Sequence, residues 1–148
     1  DSSMRTVALS ALLIMSLVGC ASVPMASHQE DTSAKAFSPS AGMAGLYIYR
    51  NEYRGGAIKM QVTVDGKVLG KTVAYSYLYT QLAPGKHIIT ADGGNTDQIK
   101  VDAIAGQNIF IHQGIKAGFA AAGSSMRVVD FQEGRAGVME CSMVSSQF

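Results

Sequence analysis

Apolar and polar residues alternate without a break over residues 58–65. This period of two matches a β-strand with one buried face, whereas a helix would repeat its apolar positions every 3.6 residues. Asp65 and Gly66 then supply the pair of positive φ angles that a two-residue hairpin favours, and the chain returns over residues 67–73. The alternation therefore predicts a β-hairpin near the middle of the chain.

Short runs of the same kind, separated by turn-forming residues, occupy most of the rest of the chain. Pro84 and Gly85 mark one tight turn, because Pro fixes φ and Gly accepts positive φ. Strands at intervals of about eight to twelve residues, with no strong helix between them, indicate a mainly all-β fold, a small antiparallel β-sandwich. The other predicted strands cover residues 46–50, 75–82, 87–91, 98–104, 108–113 and 126–131.

The C-terminal segment allows two interpretations. The sequence Asp130-Phe131-Gln132-Glu133 resembles a capping box, which favours a short helix over residues 132–141. Gly134 and Gly137 oppose this helix, since each costs up to about 1 kcal/mol in a helix interior. We expect the helix. The alternative is a strand that places three sulfur-containing residues on one face: Met139, Cys141 and Met143.

The first twenty residues have the pattern of an export signal. Arg5 precedes an apolar run over residues 7–18, which is shorter than the roughly 20 residues of a membrane-spanning helix. The run ends in Leu17-Val18-Gly19-Cys20, which resembles a lipobox. That resemblance implies diacylation of the Cys20 thiol, cleavage before it and N-acylation. We therefore expect removal of residues 1–19, with residues 1–3 lying before the natural start at Met4. The alternative is an ordinary signal followed by a chance cysteine.

A lipid-anchored start defines the expected domain organisation. One acyl chain gives only marginal membrane attachment, so three chains would make release negligible. Ala21 follows the cysteine, and resemblance to lipoprotein sorting in enterobacteria implies the outer membrane, facing the periplasm. Residues 20–44 are rich in Ser and Ala without apolar periodicity and predict a flexible tether. Residues 45–148 are the predicted sandwich domain.

Two segments carry a family resemblance. Residues 62–71 and 82–89 resemble the V-x-V-D-G-K and L-x-P-G-x-H-x-I pattern of PEGA-type surface domains, and more specifically the bacterial lipoproteins of the DUF2846 family. The resemblance extends over roughly residues 45–142. It implies a small lipid-anchored sandwich with no assigned activity. The motif residues are chiefly turn formers, so no catalytic residues are carried over from it.

The sequence contains no recognisable enzyme motif. It lacks a nucleophile elbow, a His-Glu-x-x-His pair, a phosphate loop and a Cys-x-x-Cys. We expect His28 and His87 to be solvated and His112 to be structural. The sulfur residues at 139, 141 and 143 suit Cu(I), but without a nearby His we interpret them as core packing. No metal and no cofactor are predicted. With Cys20 lipidated, Cys141 has no disulfide partner and should be a buried thiol.

Two features are candidate binding surfaces. Tyr75, Tyr77 and Tyr79 alternate along one predicted strand, and an outward ladder of tyrosines would suit sugars or protein partners. The alternative is that this face packs on the first strand or under a loop. Phe119 lies in the small-residue segment 114–123, where it either plugs the end of the sandwich or contacts a partner or the membrane.

These observations favour a non-enzymatic envelope lipoprotein that docks to another envelope protein. A net charge of +1 with scattered basic residues argues against nucleic acid as a partner. A module that binds peptidoglycan through the tyrosines is the second hypothesis. The third is a hydrolase whose site forms only in three dimensions, lined by His87 or His112 with an acidic neighbour.

Overall fold

A computed structural model describes residues 22–53, 58–117 and 122–148. The mainly β architecture predicted from the sequence is confirmed. No helix in these three ranges is long and apolar enough to cross a membrane. The elements are α1 (His28–Ala34), β1 (Ala44–Arg50), β2 (Met60–Val64), β3 (Lys67–Thr72), β4 (Ser76–Leu82), β5 (Gly85–Asp92), β6 (Thr96–Ala103), β7 (Asn108–Ala117), β8 (Ala122–Val129), α2 (Phe131–Met139) and β9 (Ser142–Met143).

The strands form two sheets packed face to face. One sheet has the order β8-β7-β1-β4-β9 and the other has the order β3-β2-β5-β6. Most neighbouring strands are antiparallel, as predicted, but the pairs β1–β7 and β4–β9 are parallel, so the five-stranded sheet is mixed. Between β4 and β7 the chain forms β5 and β6 of the four-stranded sheet. It then returns to the five-stranded sheet as β7, which lies beside β1 and parallel to it.

The hairpin predicted at Asp65 and Gly66 is confirmed. Both residues have positive φ, 51° and 80°, and β2 pairs antiparallel with β3. Alternate residues of both sheets then point into the space between them, as the period of two requires. The resulting inner core is fully buried and includes Leu46, Ile48, Val62, Leu69, Leu78, Ile89 and Ile111.

The five-stranded sheet is buried on its other face as well. Every residue of β1 is buried, which leaves no solvent-facing side to this strand. The helices α1 and α2 lie over that face, so the fold has three layers: sheet, sheet and helices. The side chains beneath the helices form an aromatic layer that we call the outer-face cluster. Its members include Ala34, Tyr47, Tyr49, Tyr77, Phe110, Val138, Cys141 and Met143.

Helix α2 confirms the expected C-terminal helix, with bounds shifted slightly toward the N-terminus. The carboxylate of Asp130 caps it by accepting a hydrogen bond from the amide of Glu133 at 2.8 Å. Its two glycines face the sheet at points of close approach. A Cβ at Gly134 would overlap the ring of Phe110, and one at Gly137 would overlap the ring of Tyr49. The glycines therefore permit packing at the cost of helix propensity.

The segment before β1 does not form the expected flexible tether. Ser27 and Glu30 make a reciprocal capping box at the start of α1. The hydroxyl of Tyr47 donates a hydrogen bond to the carbonyl oxygen of Ala34 at 2.7 Å, at the end of that helix. The polar composition of this segment predicted disorder. Its buried contacts with the outer-face cluster stabilise the ordered conformation and offset the loss of conformational entropy.

The N-terminal segment also pairs with the C-terminal segment. The amide of Ala26 donates to the carbonyl oxygen of Met143 at 3.0 Å, and the amide of Ser145 donates to that of Pro24 at 2.9 Å. Farther on, the amide of Gln147 donates to the carbonyl oxygen of Leu69 in β3. The two segments thereby cover the seam between the two sheets, beside β9 and β3.

Two amides on the outer edge of β8 are capped by side chains of β6 and of the turn before it. The Oδ1 atom of Asn95 accepts a hydrogen bond from the amide of Ser124, and the Oδ2 atom of Asp97 accepts one from the amide of Met126, both at 2.8 Å. These amides would otherwise offer a free strand edge for pairing with another chain.

Candidate functional site

The three tyrosines proposed as a ladder do not share an exposed surface. Tyr77 is fully buried and Tyr79 is half-buried, whereas Tyr75 lies in the turn before β4 and is 45% exposed. The outward ladder is therefore wrong, because the face opposite Leu78 lies under the helical layer. The packed arrangement, the alternative stated above, is the one present. Phe119 and Cys20 lie outside the described residues.

Tyr77 joins the sheet to helix α1 through a partly buried polar contact. Its hydroxyl donates a hydrogen bond to Oδ1 of Asp31 at 2.5 Å. The ammonium of Lys35 lies 3.2 Å from the same carboxylate and donates to the carbonyl oxygen of Cys141 at 2.6 Å. Burial, followed by the hydrogen bond to Asp31, raises the pKa of Tyr77 far above its ordinary value. The tyrosine stays neutral and serves as a structural donor.

Cys141 is a buried thiol, as predicted. Its Sγ donates to the carbonyl oxygen of Arg50 at 3.4 Å, and burial raises the pKa of the thiol to about 12. The thiolate is the form that attacks electrophiles and binds metals. Met143 lies in the same cluster, but Met139 is 49% exposed. The interpretation as core packing therefore holds for Cys141 and Met143 and is wrong for Met139, whose side chain is half exposed at the end of α2.

His87 is held between two acceptors. Its Nδ1 lies 2.6 Å from Oδ2 of Asp65, and its Nε2 lies 2.7 Å from the carbonyl oxygen of Ala83. The hydrogen bond to Asp65 raises the pKa of His87, and the same bond lowers the pKa of Asp65. The expectation of a solvated imidazole is wrong here, since only 15% of the side chain is exposed.

The other two histidines occupy different environments. His28 begins α1 and is exposed, as expected. The ring of His112 lies edge-on to that of Tyr49, with ring centroids 5.3 Å apart. Burial lowers the pKa of His112, and the charge of nearby Arg127 lowers it further. His112 is thus a neutral packing group at neutral pH.

A buried polar network between the sheets was not predicted from the sequence. The guanidinium of Arg50 donates to the carbonyl oxygens of Ile58 and Thr72 at 2.7 and 2.9 Å. Thr72 Oγ1 donates to Gln113 Oε1 at 2.6 Å, and Gln113 Nε2 donates to Ser124 Oγ at 3.1 Å. One signal was available: Arg50 continues the inward-facing positions 44, 46 and 48 of β1. The internal pairing of these groups indicates a structural role.

Tyr79 lines a shallow depression of about 470 Å³ beside α1. The other polar residues that line it are Gln29, Ser33, Ser38 and Gln81, which carry amides and hydroxyls, and Glu30, which carries a carboxylate. An aromatic residue beside several hydrogen-bonding groups is a chemistry that suits a sugar ring. Within the three described ranges, no three His, Cys, Asp or Glu side chains are grouped so as to hold a metal ion.

Comparison with known proteins gives a family for this fold. The family model described as "Protein of unknown function (DUF2846)" matches residues 40–125, more than half of the chain. The chain belongs to this family. An uncharacterized protein of Haemophilus influenzae is 35% identical over 133 residues, covering 88% of this chain and 79% of that relative. No solved structure matches.

The DUF2846 match runs from just before β1 to the first half of β8. It therefore includes both sheets except for the second half of β8 and the two-residue strand β9. Both helices lie outside the matched span, although they cover the outer face of the five-stranded sheet. The depression at Tyr79 is formed between a matched strand and the unmatched helix α1.

Proposed function

We propose that this DUF2846 protein is a lipid-anchored envelope protein, held at the periplasmic face of the outer membrane, whose folded domain docks to another envelope protein without catalysing a reaction. The observation that carries the proposal is the lipobox-like sequence Leu17-Val18-Gly19-Cys20 at the end of an apolar run. Only one residue separates Cys20 from Ser22, where the described fold begins.

The environments of the reactive residue types support a non-enzymatic role. Cys141 is buried with its pKa raised to about 12, which disfavours a nucleophilic thiolate. Both ring nitrogens of His87 are engaged by protein oxygen atoms. These groups stabilise turns and layers, and their contacts leave none of them poised beside an open cavity for proton transfer.

Mass spectrometry of the protein purified from native membranes tests the anchor. We expect a chain that begins at Cys20 and carries the mass of three acyl groups. A Cys20→Ser variant should leave the membrane fraction, whereas Cys141→Ser should remain in it as the matched control. A bare thiol at Cys20, or an uncut leader, would refute the anchor.

Photo-crosslinking in intact cells tests the docking role. Phe131 and Met139 are apolar side chains of α2 that are about half exposed, so a crosslinking residue at either position faces outward. We expect a specific protein adduct there, and none from a crosslinker at the exposed Lys100 on β6 as the control. Adducts with lipid alone at all three positions would contradict a protein partner.

The depression at Tyr79 favours peptidoglycan as a second candidate ligand. Aromatic rings bind sugar faces while amides and hydroxyls bind their hydroxyl groups. A pull-down with purified sacculi should lose the Tyr79→Ala and Ser38→Ala variants and retain Tyr75→Ala, which alters an exposed tyrosine outside the depression. Equal retention of all three variants would remove this candidate.

A further inference from the structure

A groove of about 290 Å³ lies where the N-terminal segment enters the fold. One wall is the chain at Ser22, Val23 and Pro24, and the opposite wall is the edge strand β3 with Val68 and Lys71. Lys59 lies before β2 and also lines the groove. The C-terminal segment at residues 144–147 lines it as well, so the groove lies between the first described residues, the edge strand β3 and the C-terminal segment.

The groove carries positive charge. Its two charged lining residues are Lys59 and Lys71, both exposed, and it has no acidic lining residue within the described chain. Neither ammonium makes an ion pair with any carboxylate that the structure describes. A third lysine on β3, Lys67, lies over the ring of Phe148 at 4.7 Å from its centroid. This edge of the molecule is thus suited to an anion.

The position of the groove along the chain fixes its distance from the proposed anchor. Two residues of extended chain span at most about 7 Å, so Cys20 is confined to that distance from Ser22. Residues 24–26 are held in place, because Pro24 and Ala26 are hydrogen-bonded to the C-terminal segment. The headgroup region on each side of a bilayer is about 5–7 Å deep. With the acyl chains inserted, the groove lies at the level of the headgroups.

We infer that this groove holds the headgroup phosphate of an anionic phospholipid between Lys59 and Lys71, and so sets the orientation of the domain on the bilayer. The inference rests on the lipid anchor proposed above. Lysine binds phosphate as a point charge, and each lysine near an anionic membrane surface strengthens binding about fivefold. The acyl chains hold the protein at the membrane, and the two lysines select which face turns toward it.

Fluorescence quenching of the acylated protein tests this orientation. The chain contains no Trp, so a Val68→Trp variant places a single indole in the groove. The control is Ile104→Trp, whose position is 53% exposed in the turn after β6, the opposite edge strand of the same sheet. Each variant is reconstituted into vesicles that contain phosphatidylethanolamine and phosphatidylglycerol in a ratio of about three to one. A fraction of the phosphatidylglycerol carries a nitroxide quencher on its headgroup.

We expect strong quenching of Val68→Trp and little of Ile104→Trp. Adding Lys59→Gln and Lys71→Gln to Val68→Trp should lower the equilibrium constant for headgroup binding in the groove about 25-fold, and the quenching should fall accordingly. Adding Lys86→Gln and Lys100→Gln, which remove the same charge from β5 and β6, should not change it. Equal quenching of the two tryptophans, or equal loss with either lysine pair, would overturn the inference.

Mass spectrometry of the same samples separates the two possible failures. Acylated protein whose Val68→Trp indole is not preferentially quenched overturns the groove and leaves the anchor intact. A bare Cys20 thiol overturns the anchor and the headgroup site together.

Discussion

The amide of Ser145 donates a hydrogen bond to the carbonyl oxygen of Pro24 at 2.9 Å. This bond joins the first described segment of the chain to the C-terminal segment, and a second bond, from the amide of Ala26 to the carbonyl oxygen of Met143, continues the pairing. The segment at residues 22–26 is therefore part of the folded body. If the anchor that we propose at Cys20 is present, movement of the domain relative to it requires breaking this pairing or bending the chain before Ser22.

Removing the cap of α1 should loosen the N-terminal segment. Ser27→Ala deletes the hydroxyl that accepts from the amide of Glu30, a loss of about 1 kcal/mol. We expect the amide of Lys35, which donates to Asp31, to exchange its hydrogen about fivefold faster in this variant. Ser38→Ala, an exposed substitution in the same segment, is the control. Exchange at the unfolded-peptide rate in the native protein would instead favour a tether.

The pair His87–Asp65 should make stability depend on pH. The raised pKa of His87 contributes stability below its ordinary value near 6.5, which is lost as pH rises through the folded pKa. The lowered pKa of Asp65 contributes stability above its ordinary value near 3.8, which is lost as pH falls. The loss of unfolding free energy in His87→Gln should therefore be larger at pH 5.5 than at pH 8.5.

Asp65→Asn is the matched variant for that measurement. Asn tolerates the positive φ of this turn and leaves an acceptor for the amide of Ile88, while it removes the charge. In the Asp65→Asn background, the effect of His87→Gln should lose most of its pH dependence. Urea denaturation of the four proteins at both pH values gives the result, and an unchanged pH dependence in that background would contradict the pairing.

Adding a methyl group to α2 should destabilise the protein. Gly137→Ala raises helix propensity by about 1 kcal/mol, but its Cβ meets the ring of Tyr49. We expect a net loss of about 1–3 kcal/mol in the free energy of unfolding, as for other overpacked sites. Gln132→Ala, at an exposed position of the same helix, should change it little. A more stable Gly137→Ala protein would show that the helix does not approach the sheet so closely.

The buried network should be sensitive to loss of one hydroxyl. Thr72→Val removes the donor to Gln113 Oε1 and leaves that buried oxygen without this partner. We expect a cost of about 1–3 kcal/mol, measured by urea denaturation. Thr63→Val makes the same chemical change at a half-buried position of β2 and should cost under about 0.5 kcal/mol. Equal effects at the two positions would argue against a network role for Thr72.

The alternation of residue types was sufficient to predict the strands, because one buried face imposes a period of two. It was not sufficient to predict the third layer. The outer residues of β1 and β4 are tyrosines, whose amphipathic side chains suit solvent and interior alike, so Tyr47 and Tyr77 gave no sign of being covered. Their burial depends on α1 and α2, which come from distant parts of the chain.

Elements that depend on tertiary contacts were the ones missed. Helix α1 has seven residues, fewer than an isolated helix needs to be stable, and the contacts of Ala34 with the sheet support it. Strand β9 has only two residues and pairs in parallel with β4, a distant part of the chain. The inward direction of Arg50 could have been predicted, because it continues the alternate inward-facing positions of β1. The carbonyl oxygens that accept its hydrogen bonds could not, because they lie on β3 and in the segment before β2.

The capping of β8 by Asn95 and Asp97 has a consequence for a protein confined to a surface, as we propose for this one. A surface raises the local concentration of the molecules confined to it, and an open sheet edge can then pair with the edge of a neighbouring molecule. A carboxamide and a carboxylate that already occupy the outward amides remove that template. At these two positions of β8, a neighbouring molecule therefore finds no free amide with which to extend the sheet.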